Sequence, residues 1–117
     1  MIAALEARVA QQERAFVEAA RYVERVAEHY PDVCGVVFGS YARGDFHDGS
    51  DIDLLLVSDA FAASPVERER VLYDLSPGGI DIFAYRAADI ARMVATNHPT
   101  VYYARSEGIV LRGTPPW

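Results

Sequence analysis

The sequence predicts an α/β or α+β domain built around one small sheet. Three observations support this. VCGVVFG (Val33 to Gly39) and DIDLLLV (Asp51 to Val57) are apolar runs of strand length. IDIFAY (Ile80 to Tyr85) alternates with the period of two that marks a third strand. Helical patterns precede and separate these runs, and helices alternating with strands indicate a sheet covered by helices.

Residues 2–30 read as one long helix. Leu5, Val9, Phe16, Ala20, Val23, Ala27 and Tyr30 recur at helical spacing, Glu and Arg fill the other face, and Pro31 ends the run. Such a stripe faces a core, or in part a partner. SYARG (Ser40 to Gly44) starts a short turn or helical corner, and DFHDGS (Asp45 to Ser50) is loop. Ser64 and Pro65 suit the first positions of a helix over 65–75, which SPGG (Ser76 to Gly79) breaks. Residues 87–96 and Pro99 to Ser106 read as two further helices, and GIVLRG (Gly108 to Gly113) as a last short strand. The chain divides into an N-terminal amphipathic helix (1–31), a core (32–113) and a flexible tail (114–117), all within one domain. The tail GTPPW holds two prolines, which block regular hydrogen bonding.

The bulk numbers narrow the function. A chain of 117 residues suits a single core. A net charge of −6 argues against direct, sequence-independent binding of nucleic acid, which needs Lys and Arg for the phosphates. A nucleotide held through metal ions is compatible with it. The single cysteine, Cys34, excludes an internal disulfide and reads as a buried strand residue, so a reducing, cytoplasmic setting is expected. No run is long and apolar enough to span a bilayer, so no membrane association is expected.

The residues that carry chemistry lie between Phe38 and Val57. On a strand, Asp51 and Asp53 would project to one face about 6.5–7 Å apart. Two carboxylates so placed can share a pair of metal ions about 3.5–4 Å apart. Oxygen-only ligands suit Mg²⁺ or Mn²⁺ rather than zinc. Asp81 interrupts an otherwise apolar strand, and its local sequence leaves two readings open: a third member of the cluster, or an edge-strand charge facing water. The corner Gly39-Ser40 lets a phosphate approach the backbone, and Arg43 offers a guanidinium fork to phosphate oxygens.

Gly39-Ser40, ten intervening residues, Asp51-Ile52-Asp53 and a later aspartate in a third strand resemble the nucleotidyltransferase superfamily that includes DNA polymerase β. The short form, with GSYARG and GSDIDLLL, resembles the minimal nucleotidyltransferases, which pair with HEPN toxins in toxin–antitoxin systems. The resemblance runs from Val33 to about Gly113 and includes SEGIVLRG near the end. It implies a nucleotidyltransferase fold, a small mixed sheet with helices packed on one side. It implies that Gly39 and Ser40 hold the β- and γ-phosphates of ATP or another nucleoside triphosphate, with Arg43 and Ser50 in the nucleotide-binding set. It implies that Asp51, Asp53 and Asp81 ligate two Mg²⁺ ions, Asp81 beside the attacking hydroxyl, where it helps to deprotonate it.

The implied activity is transfer of AMP, or another NMP, to a hydroxyl acceptor, with a tyrosine of a HEPN-domain partner expected and an antitoxin role. Two alternatives stand beside it: an antitoxin that acts by contact alone, and a small-molecule transferase of the aminoglycoside-modifying type. Larger relatives carry a second domain for base and acceptor that the sequence lacks, so the acceptor surface is expected from another molecule. The state of assembly, homo- or hetero-oligomer, stays open. Other motifs fail. From Asp48 the calcium-loop pattern puts Ser50 third and Asp59 twelfth, and no Gly-Lys-Ser/Thr follows the glycines. The histidines share no ligand spacing, although His47 lies in the site loop. Tyr41 is expected to pack, and the Arg92 to His98 spacing matches a HEPN ribonuclease motif by chance.

Overall fold

The computed structural model describes residues 2–117. In chain order the elements are α1 (Ile2–Ala27), β1 (Cys34–Phe38), α2 (Ser40–Arg43), β2 (Ile52–Val57), α3 (Pro65–Asp74), β3 (Ile80–Tyr85), α4 (Ala87–Ala95), α5 (Pro99–Glu107) and β4 (Ile109–Arg112). The four strands form one mixed sheet in the order β3-β2-β1-β4. β1 pairs antiparallel with β2 and β4, while β2 and β3 run parallel. This is the small α+β domain that the strand and helix signals predict.

Helices cover both faces of the sheet, which corrects the expectation of one covered side. Val37, Leu54, Leu56 and Ile82 face α1 and α3, joining Ala19, Val23, Val26 and Leu72 in one cluster. Val36, Phe38, Leu55 and Val57 face α4 and α5, with Ile90, Met93, Val101 and Ala104. The physical reason lies in the strands: every residue of β1 is buried, and a continuously apolar strand must be shielded on both faces. Leu54, Leu55 and Leu56 are all fully buried, each worth about 1.5–3 kcal/mol of hydrophobic transfer.

α1 meets the sheet only with its second half. Ala15, Ala19, Tyr22, Val23, Val26 and Ala27 are buried, whereas Leu5 and Val9, expected in the same stripe, are exposed. A 26-residue helix is about 39 Å long and outruns a sheet whose strands have four to six residues. Where α1 crosses β1 the chains come close. A Cβ on Gly35 would lie 2.9 Å from Val23 Cγ2, so glycine sets this approach. The Tyr22 hydroxyl, buried, donates to the Leu72 carbonyl at 2.7 Å and ties α1 to α3.

The cap of α3 follows its sequence signal. Ser64 accepts from the Glu67 N–H, with Pro65 in the first turn of α3. His98 caps α5 by accepting from the Thr100 N–H at 3.2 Å. Cys34 is buried, and burial raises its thiol pKa. No helix of the described residues is long and apolar enough to cross a membrane.

Candidate active site

The site lies at one end of the sheet, where β1 ends and β2 and β3 begin. Antiparallel pairing sets Asp53 opposite Phe38, the residue before Gly39. Parallel pairing sets Asp53 opposite Asp81. The corner and two of the aspartates are therefore neighbours across three strands, although nearly thirty residues separate Asp53 from Asp81 in sequence. Asp51 stands one residue ahead of β2 and is exposed, Asp53 is half-buried and Asp81 is exposed.

The electrostatics of Asp53 register its acidic neighbours. The Asp53 pKa is raised, first by burial and then by the charge of Asp81, with smaller contributions from Asp51 and Glu107; Arg43 opposes the shift. Among the described residues none of the three aspartates is in an ion pair. No three His, Cys, Asp or Glu side chains among the described residues converge closely enough to cage a metal ion as they stand. The donor chemistry still fits a hard divalent cation: carboxylate oxygens only, free of cationic partners and repelling one another at Asp53.

Gly39 closes the corner in a backbone conformation that only glycine adopts readily, φ 76° and ψ −153°. A Cβ there would overlap the Asp53 carboxylate at Oδ2. Glycine thus lets the first strand's end press directly on the site aspartate. Gly39→Ala is expected to cost about 1–3 kcal/mol in backbone strain alone and to displace Asp53. Urea unfolding checks the first effect; a midpoint equal to that of the wild type would refute it.

The structure places the remaining sequence candidates unequally. Ser40 opens α2, beside Gly39. Arg43, exposed, donates to Asp45 through Nε at 3.1 Å and to Glu107 through Nη1 at 2.8 Å. Ser50 turns its hydroxyl to the loop, where Oγ accepts from the His47 N–H at 3.0 Å. His47 is exposed, and its Nδ1 lies 3.0 Å from the Asp48 carbonyl. Tyr41 packs, as expected, stacked on Phe46 at 4.4 Å between ring centres.

Two residues at the site escaped the sequence reading. Glu107, the last residue of α5, accepts from the Gly39 N–H at 3.1 Å as well as from Arg43. Tyr73, near the end of α3, donates to Asp81 Oδ1 at 3.4 Å and accepts from the Ile82 N–H at 3.0 Å. Glu107 lies in the SEGIVLRG stretch, to which the sequence reading attaches no site role, and Tyr73 has no local signal. The Glu107 contact spans 68 residues, and Tyr73 reads in sequence as one more helix position.

The family model for the nucleotidyltransferase domain matches residues 19–91, more than half of the chain. The chain belongs to the nucleotidyltransferase domain family. Among solved structures, it is similar to a candidate nucleotidyltransferase from Sulfolobus solfataricus, at 25% identity and a TM-score of 0.67, covering 88% of this chain and 84% of that one. A toxin–antitoxin structure with AMP-PNP shares the fold, at 18% identity and a TM-score of 0.51, covering 79% of this chain and 70% of that one. No curated protein matches. The matched segment contains Gly39, Ser40, Asp51, Asp53 and Asp81 and stops short of Glu107.

Proposed function

We propose that this nucleotidyltransferase-family domain transfers AMP, or another NMP, from a nucleoside triphosphate to a hydroxyl group. The observation that carries the reading is the register that sets Asp81 opposite Asp53, with Gly39 against the Asp53 carboxylate. Asp51, Asp53 and Asp81 would hold two Mg²⁺ ions, or Mn²⁺. Bound there, the metal would supply acidity to the attacking hydroxyl and charge compensation to the leaving oxygens. Gly39 and Ser40 would seat the phosphates, with Arg43 and Ser50 alongside. Arg43 is held by Glu107 and Asp45, so a triphosphate would take the guanidinium from one of these carboxylates or use its remaining N–H groups. Asp81, exposed on the edge strand, would be the aspartate open to an acceptor from another molecule.

The acceptor in this reading is a tyrosine of a HEPN-domain partner, and the chain acts as its antitoxin in the cytoplasm. The fold neighbour in a toxin–antitoxin with AMP-PNP supports a nucleotide and a protein partner. The net charge of −6 favours encounter with a basic partner. A phenol is also more easily ionised than an aliphatic alcohol. A second reading, neutralisation by contact alone, is favoured by the commitment of Arg43 to two carboxylates.

Thermal unfolding in EDTA and in millimolar Mg²⁺-ATP tests the site. Ligand at a hundred times its Kd adds about 2.7 kcal/mol, enough to raise Tm by several degrees. Equal melting temperatures would overturn the nucleotide site. A gain of one AMP mass on a HEPN partner would support the acceptor, and inhibition without mass gain would favour contact alone.

A further inference from the structure

Tyr73 occupies a specific place beside the candidate site. β3 is an edge strand of the sheet, and α3 packs along it. From the last turns of α3 the Tyr73 phenol reaches back to this edge, accepting from the Ile82 N–H at 3.0 Å and donating to Asp81 Oδ1 at 3.4 Å. The residue is nonetheless 45% exposed. Across the end of the sheet the order is Gly39 after β1, Asp53 on β2, Asp81 on β3, and Tyr73 beyond. That order suits in-line displacement at phosphorus, which sets the leaving group on one side and the nucleophile on the other.

We propose that Tyr73 is itself an acceptor, so that the protein nucleotidylates its own Tyr73 hydroxyl. The inference rests on the nucleotidyl-transfer reading above. With ATP as donor, a bond forms between Tyr73 Oη and the α-phosphorus. The bond from that phosphorus to the bridging oxygen of pyrophosphate breaks, and pyrophosphate leaves with the electron pair. The phenolic proton passes to Asp81 and then to solvent. Because the phenol touches the Asp81 of its own chain, the reaction is intramolecular. The other exposed tyrosines of the fold, Tyr102 and Tyr103, lie on α5 and have no hydroxyl contact with a site aspartate. They serve as internal controls.

The experiment incubates the full chain with Mg²⁺-ATP and follows intact and peptide mass. A gain of one AMP on Tyr73 is expected, at a rate per molecule that does not change on dilution, and it should be lost in Tyr73→Phe and in Asp53→Asn. A second measurement needs no turnover. Nitration of Tyr73 by tetranitromethane should fall several-fold when Mg²⁺ and an ATP analogue with a carbon α,β-bridge are bound, while Tyr102 nitrates as before. Calorimetry with the same analogue separates the outcomes. Analogue binding with Tyr73 unmodified, or with modification elsewhere, overturns this inference and leaves the transferase reading standing. Absence of analogue binding overturns both.

Discussion

Asp53→Asn is expected to lower nucleotidyl transfer at least a hundredfold while the fold stays intact. Asn keeps the shape of the side chain and loses the charge that a cation needs. Losses of about 10²–10³ are usual when one preorganised electrostatic group is removed from a transition state. Asp53 is the most central of the three aspartates, pressed by Gly39 and aligned with Asp81. Without metal, the same substitution should stabilise the protein. Burial, followed by the charge of Asp81, raises the Asp53 pKa in the folded state. Between the ordinary carboxylate range and that raised value the folded protein binds more protons than the unfolded chain, so stability falls as pH rises through this window. Above it the ionised side chain carries a constant penalty, which Asn removes. Solvent screens a half-exposed group, so the gain should stay below about 1 kcal/mol. Melting in EDTA from mild acid to neutrality should show a weaker pH slope for the variant. Wild-type transfer rates in Asp53→Asn would overturn the assignment.

Asp89→Ala is expected to have the largest effect on stability, far from the aspartate cluster. Arg68 is only 5% exposed, and its Nε finds no partner among the described residues. Its ionic partner is Asp89, at 3.4 Å from Nη1. Asp89 also accepts from the Arg86 N–H at 3.0 Å at the start of α4, and pairs with Arg92. Alanine would remove a helix-start hydrogen bond and strand a buried guanidinium without a counter-charge. Breaking a buried pair from one side costs about 3–5 kcal/mol, and the partial exposure of Asp89 points to the lower end. For a domain of this size that lowers Tm by more than about 10 °C. The Arg86 N–H, first, and the charges of Arg68 and Arg92 hold the Asp89 pKa down despite burial. Its contribution is therefore full above the unfolded pKa and is lost as pH falls through the lower folded value. Urea midpoints at neutral pH check the prediction, and a shift of less than one degree in Tm would refute it.

The order of elements was legible from local chemistry, because burial and backbone geometry leave periodic traces in sequence. Apolar runs marked β1 and β2, alternation marked β3, and Ser64-Pro65 opened α3 where a cap and a first-turn proline belong. The Gly-Ser corner and the Asp51–Asp53 pair were legible too, since each lies within one short segment. Tertiary structure decided the rest. The place of Asp81 depends on which strand pairs with β3: parallel pairing with β2 in this register aligns it with Asp53, and its position on the edge strand leaves it exposed as well. The continuous apolar runs of β1 and β2 already call for cover on both faces, but that α4 and α5 supply the second cover is settled only by packing. Glu107 at the Gly39 amide, Tyr73 at Asp81 and Asp89 at Arg68 depend on where helices pack. A local pattern marks the face that can be buried, and the exposed Leu5 and Val9 show that packing decides how much of it is. A side chain's partner is set by the packing of distant segments, and a contact such as that between Glu107 and Gly39 exists only after the sheet has formed.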